Sequence, residues 1–173
     1  FQTVTTEVIK PDVGIRVIPA AYQKKIVEWV PRSAGGGFVG YHEFDQDWLA
    51  KCQKNERNKP ITDIGNDLVE TAYFFIIRIL PDGGTEKGLI AMTSTQLKKA
   101  RAWNAVRMNF RTTLPNGKAI NPPAYAQIHT LSTKQESKAD QTWFGWDFPA
   151  PPELVTDRAL AQMAKDFATD VLG

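Results

Sequence analysis

Between Lys87 and Gln135 the chain carries eight Lys or Arg and not one Asp or Glu over 49 residues. Cations unrelieved by acid over such a length suit a polyanion, and nucleic acid is the commonest one a protein meets. Lys98, Lys99, Arg101, Arg107 and Arg111 are assigned here to backbone phosphates. Lys118, across the Pro115-Asn-Gly117 turn from Arg111, and Arg32, beside three consecutive glycines, join them. Unpaired bases also need aromatic faces, each worth about 1–3 kcal/mol of stacking. Tyr73, Trp103 and Trp143 are the candidates, with Trp143 preferred over Trp146 because it alternates away from Phe144, Trp146 and Phe148.

Other chemistries find less support. His42, Glu43, Asp45 and Asp47 cluster in sequence and would serve a metal-dependent nuclease, but such sites gather carboxylates from separate elements. No metal, cofactor or catalytic residue is therefore expected. Gly35-Gly-Gly37 is followed by no Gly-Lys-Ser/Thr and shows no GxGxxG spacing, which argues against a nucleotide cradle. The single cysteine, Cys52, forms no internal disulfide and reads as a half-buried thiol in a reducing compartment.

The charge is segregated along the chain. Residues 1–86 sum to −2 (ten basic, twelve acidic), 87–135 to +8, and 136–173 to −4 (three basic, seven acidic), so the overall +2 conceals a basic centre. With 173 residues the chain is long enough for a sizeable core, and one domain spanning 1–173 is expected. No run of about 18 apolar residues predicts a membrane helix, and a cytoplasmic setting with no membrane partner is expected. The first residue is Phe1 rather than Met, which is read as a trimmed fragment lacking native tails.

The elements that must carry these side chains follow from periodicity. Thr3–Ile9, Gly14–Ile18 and Tyr22–Val30 read as short strands, Pro31–Tyr41 as a glycine-rich loop, and 42–67 as an inserted helix or ordered loop ended by Pro60. Leu68–Leu80 is apolar on both faces and reads as a central strand, paired across the Pro81–Gly84 turn with Gly88–Thr93. A basic helix spans about 94–108, capped by Thr93 with Gln96 as capping-box partner, and Leu97, Ala100, Asn104 and Met108 form a weak core stripe. Strands at 124–133 and 141–148, joined by a polar loop, precede an amphipathic helix at about 152–172 with Leu160, Met163, Ala164, Phe167 and Val171 on one side. The whole reads as mainly β with helices (α+β): an OB-fold-like five-stranded barrel over about 10–148 with an inserted helix, and a C-terminal amphipathic helix.

Gly36-Gly-Phe-Val-Gly-Tyr41, Gly65-Asn-Asp-Leu-Val-Glu-Thr71 and Ala91-Met-Thr-Ser-Thr-Gln-Leu-Lys-Lys-Ala-Arg-Ala-Trp103 resemble segments of phage-encoded single-stranded DNA-binding proteins of replication and recombination. The resemblance covers roughly residues 30–148. It implies an OB-fold that binds single-stranded DNA without sequence preference and without catalysis, with replication or recombination proteins as further partners. Many such proteins end in an acidic partner-recruiting tail; the sequence stops at Gly173 after a helix, and such a tail is expected to be either absent or cut away. A phage structural or transcription-associated protein that holds nucleic acid on the same basic surface is the alternative.

Overall fold

The computed structural model describes residues 6–173, which are mostly β with three α-helices, an α+β arrangement. Strand β1 (Ile15–Val30) passes through a short 3-10 turn (Arg32–Ala34) and returns as β2 (Gly37–Glu43). Helix α1 (Gln46–Lys51) and the short strands β3 (Gln53–Lys54) and β4 (Pro60–Ile61) lead into β5 (Asp67–Ile79), which turns into β6 (Thr85–Thr93). Helix α2 (Leu97–Asn109) follows, then a small hairpin of β7 (Thr112–Thr113) and β8 (Ala119–Ile120). Strands β9 (Gln127–Lys138), β10 (Gln141–Asp147) and β11 (Glu153–Leu154) precede the closing helix α3 (Arg158–Leu172).

Among the described residues the principal sheet runs β10–β9–β1–β5–β4–β3, with β6 also on β5, β2 on β1 and β11 on β9, while β7 and β8 pair only with each other. The expected central strand is present as β5, and its partner across the turn as β6. Six expectations need correction. Residues 6–14 form no strand, and Thr3–Thr5 lie outside the described residues. Gly14–Ile18 and Tyr22–Val30 are one continuous strand, β1. Gly37–Glu43 is strand rather than loop, and the polar 134–138 continue β9. Helix α3 begins at Arg158, capped by the Asp157 carboxylate on the Ala159 and Leu160 N–H groups, and Glu153–Leu154 ahead of it pair with β9. Thr93 makes no capping hydrogen bond, because Ser94 adopts φ +52° and a 3-10 turn (Ser94–Gln96) opens into α2.

The chain divides into two compact units, one of Phe1–Ala21, Phe75–Gly88 and Arg101–Gly173, the other of Tyr22–Phe74 and Leu89–Ala100. In the first, Ile18, Ile77, Ile128, Val155 and Ala164 form a buried cluster against which Leu160, Ala161 and Phe167 of α3 pack. A second cluster sets Ala20, Ala21 and Ala168 against Phe75 and Val171, small side chains letting α3 approach β1 closely. The apolar stripe read from α3 is thus its packing face, except that Met163 is exposed and accepts from the Thr85 hydroxyl at 3.7 Å.

Helix α2 is anchored by a residue assigned above to nucleic acid. Trp103 is fully buried, stacks on Phe148 at 5.4 Å, and donates its indole N–H to His129 Nδ1 at 3.0 Å. That bond makes Nδ1 the acceptor, so Nε2 carries the proton and donates to Gln127 Oε1 at 2.9 Å. The Gln127 amide in turn donates to the Arg107 and Pro122 carbonyls at 2.9 and 2.8 Å, and Asn121 donates to the Met108 and Phe110 carbonyls. The C-terminal end of α2, which would otherwise leave carbonyls unpartnered, is satisfied by side chains from 121–127. Its buried side is Ala100 and Trp103, while Met108 of the expected stripe is exposed.

The second unit buries Ile26, Val27, Leu68, Ala72, Phe74, Ile90, Met92 and Ala100. Tyr22 packs on Phe74 at 5.0 Å, and Lys24 lies 3.8 Å over the Phe44 ring while pairing with Glu70. Alternation along β1 and β2 gives this unit two unlike sheet faces, one polar and one aromatic.

Candidate nucleic-acid interface

The aromatic face is built by a bulge. In the β1–β2 ladder Glu28 opposes Gly40 but Trp29 opposes Phe38, leaving Val39 as one extra residue on β2. Without it Phe38 and Tyr41, three apart, would point to opposite faces; with it they share one. Phe38 stands edge-on to Trp29 at 5.7 Å and packs on Tyr41 at 5.0 Å, and Tyr41 meets Tyr73 of β5 at 6.3 Å. Beneath this row Val27, in register with Tyr41, is almost wholly buried. The rings themselves are not: Trp29 is 40% exposed, Phe38 51% and Tyr41 64%. Tyr73 is half-buried, and desolvation, with Tyr41 beside it, raises its phenol above the ordinary value. Four neighbouring rings on one sheet face, three of them widely exposed, are more than a core requires.

The opposite face of the same strands is a polar network. His42 Nε2 lies 2.7 Å from Glu28, which also accepts from the Asn66 amide at 2.7 Å. The Asn66 bond, then the His42 bond, hold the Glu28 carboxyl below its usual range. This disperses the sequence cluster around His42: Glu43 pairs with Lys25, and Asp45 caps α1 by accepting from the Trp48 N–H. Among the described residues no three His, Cys, Asp or Glu side chains gather as a metal would need.

The assigned residues fall in both units. Arg32, Tyr73, Lys98 and Lys99 belong to the second; Arg101, Trp103, Arg107, Arg111, Lys118 and Trp143 belong to the first. Lys98, Arg101, Arg111, Lys118 and Arg32 are exposed, and none has an ion-pair partner among the described residues. Arg111 and Lys118 sit on the β7–β8 hairpin, whose turn closes by Leu114 N–H to the Lys118 carbonyl and uses Gly117 at φ +81°. Lys99 and Arg107 are half-buried, and Arg107 donates to Asn104. Folding also redistributes the charge: the first unit holds twelve basic and eleven acidic residues and the second nine and eight, each +1. The basic block of the sequence is not a basic unit of the fold.

Trp103 lies in the core, as described, and offers no face to a base. On β10 the alternation read from the sequence places the side chains differently from their expected roles. Trp143 is half-buried and donates to Glu136 at 2.9 Å, whereas Phe144, expected in the core, is 65% exposed. Phe148, of the expected core face, stacks on Trp103. Trp143→Ala should therefore lower the melting temperature more than Phe144→Ala, whose cost should stay within about 0.5 kcal/mol, as for an ordinary surface change. Thermal melts of the two variants side by side check this ordering.

Trp29, Phe38 and Tyr41 were not among the assigned residues. Their signal lay in the Gly36–Tyr41 motif, where the glycines read as loop and the bulge broke the strand alternation.

No helix among the described residues is long and apolar enough to cross a membrane. No curated protein and no solved structure matches the chain. The whole length, residues 1–173, matches the family described as Pam3 phage gp34-like protein. The chain belongs to that phage protein family.

Proposed function

We propose that this protein binds single-stranded nucleic acid, DNA in the first instance, through the aromatic row Trp29–Phe38–Tyr41–Tyr73, without catalysis and in the service of phage replication or recombination. The observation that carries the reading is the exposure of that row on a sheet face, since stacking on exposed rings is how single strands are held irrespective of sequence. Exposed cations without ion-pair partners, Arg32 and Lys98 in the same unit, supply phosphate contacts. Strand order supports an OB-type fold: β10–β9–β1–β5–β6 orders five long strands with α2 between the third and fourth in sequence, and β2–β4 with α1 are inserted between the first two. That insertion occupies the connection which in OB-folds contacts oligonucleotides.

Tryptophan fluorescence titration with oligo-dT and with a matched duplex tests the reading. Single strands should bind more tightly, and Tyr41→Ala or Phe38→Ala should each weaken binding by about 1–3 kcal/mol while leaving the melting temperature nearly unchanged. Arg32→Ala should weaken binding to all sequences and reduce the salt slope by about 0.7. Equal affinity for duplex and single strand, or no effect of the two aromatic variants, would sink it.

One observation favours a second reading, a phage structural protein that meets a partner here. Strand β2 has β1 as its sole ladder neighbour among the described residues and presents Phe38, Val39 and Tyr41 at an edge, which suits strand addition by another protein. Loss of oligonucleotide binding altogether, with association unaffected by salt, would point there.

A further inference from the structure

Resting on that reading, we propose that the groove at the Trp29 end of the aromatic row receives one guanine of the bound strand, its face on Trp29, its Watson–Crick edge on Asp67 and its phosphate toward Arg32. The groove holds about 420 Å³ and is bounded by Trp29, Arg32, the Gly36–Gly37 backbone, Asp67 and Val69. Alternation along β5 places Asp67, Val69 and Tyr73 on one face, so the groove continues the aromatic row.

Two of its walls carry opposite charges that are not spent on each other. Asp67 and Arg32 line the same groove, yet neither carries a side-chain hydrogen bond or ion pair among the described residues. Gly37 adopts φ +132°, a region that disfavours any other residue, and a Cβ built there would meet nothing within 4 Å. Along Gly36 and Gly37 the groove is lined by bare backbone.

A carboxylate only accepts, and its two oxygens match two adjacent donors. Guanine alone among the DNA bases offers such a pair on its Watson–Crick edge, N1–H beside the N2 amino group. Adenine and cytosine present one amino donor next to a ring-nitrogen acceptor, and thymine one N–H between two carbonyls. A well-formed bidentate contact discriminates between bases by roughly tenfold or more.

The test compares oligo-dT of about 12 nucleotides with the same oligomer carrying one central dG, dA, dC or inosine, a length within the range of one OB-type site. The dG oligomer should bind about tenfold more tightly than all-dT. Inosine lacks the N2 amino group and should lose most of that gain with the protein unchanged. Asp67→Asn should abolish the preference while all-dT binding persists. Equal affinity for dG and dT, retention of the gain by inosine, or a preference that survives Asp67→Asn overturns the proposal and leaves single-strand binding intact. Failure to bind any oligomer overturns the underlying reading and this proposal with it.

Discussion

Replacing Trp103 by Ala should cost about 3–5 kcal/mol of stability, the range for deleting a large buried aromatic, and more than any other single truncation on α2. Two losses combine. The indole is completely buried and stacks on Phe148, so its removal leaves a cavity. It also donates to His129 Nδ1, and a buried acceptor left without its donor costs a further 1–3 kcal/mol or so, part of which is already contained in the first figure. Because domains of this size are stable by only about 5–15 kcal/mol, the variant should unfold at a much lower urea midpoint with an unchanged slope. Trp103→Phe helps to separate the terms, since it removes the N–H while leaving a much smaller cavity than alanine. If Trp103→Ala left the urea midpoint in place and weakened oligonucleotide binding, the side chain would be a contact after all and the packing described for α2 would be wrong.

Why the sequence put Trp103 among the binding residues is instructive. Its neighbours Lys98, Lys99, Arg101 and Arg107 surround it in the chain, and the weak stripe of Leu97, Ala100, Asn104 and Met108 on α2 leaves Trp103 off it. A helix held by one buried tryptophan and by polar bonds at its end leaves almost no periodic signal. Helix α3, by contrast, packs through Leu160, Ala161, Ala164, Phe167, Ala168 and Val171, four of which lie on the stripe legible in the sequence, and β5, on which no residue is exposed, is legible from its apolar run. Strand β1 reads in the sequence as two because Pro19 follows its first apolar run; the proline is buried within the strand, and a residue without an N–H ordinarily marks a strand's end. Strand β2 was hidden for a different reason: three glycines precede or open it, and its bulge places Phe38 and Tyr41 on one face at a spacing that neither a strand nor a helix predicts. Charge segregation along the chain was real but is a one-dimensional property, and β1, β5, β6 and α2 contribute to both units and mix it. What the residues could not disclose was which exposed rings become neighbours, because Trp29, Phe38, Tyr41 and Tyr73 meet only through strand register.

Acid should destabilise the protein across a window set by His129. Burial first, and the nearby Arg107 guanidinium second, push this imidazole down from its ordinary 6.5 to about 4. In the unfolded chain the imidazole takes up a proton as pH falls through about 6.5; in the folded protein it resists until about 4. The unfolded state therefore binds more protons throughout that interval, and stability, full above the upper limit, declines as pH falls toward the lower one. A difference of roughly 2.5 pH units at about 1.4 kcal/mol each sets the total loss near 3 kcal/mol. The geometry explains why the proton is resisted: a charged imidazole would carry N–H on Nδ1 and turn a donor against the Trp103 N–H, breaking the chain of bonds through Gln127 to the end of α2. Glu28, held below its usual range by Asn66 and His42, adds acid sensitivity at lower pH, where its own carboxylate is finally protonated. Urea unfolding of the parent and of His129→Gln, measured from about pH 7 to pH 4.5, isolates the contribution, because glutamine retains a donor and an acceptor without titrating in this range. The parent should lose about 2 kcal/mol more than the variant between these limits, the remainder falling below pH 4.5, and the His129 ring protons should titrate near 4 by NMR. Parallel stability profiles for the two proteins, or a ring titrating at its ordinary value, would show that the imidazole is not sealed behind Trp103 in solution.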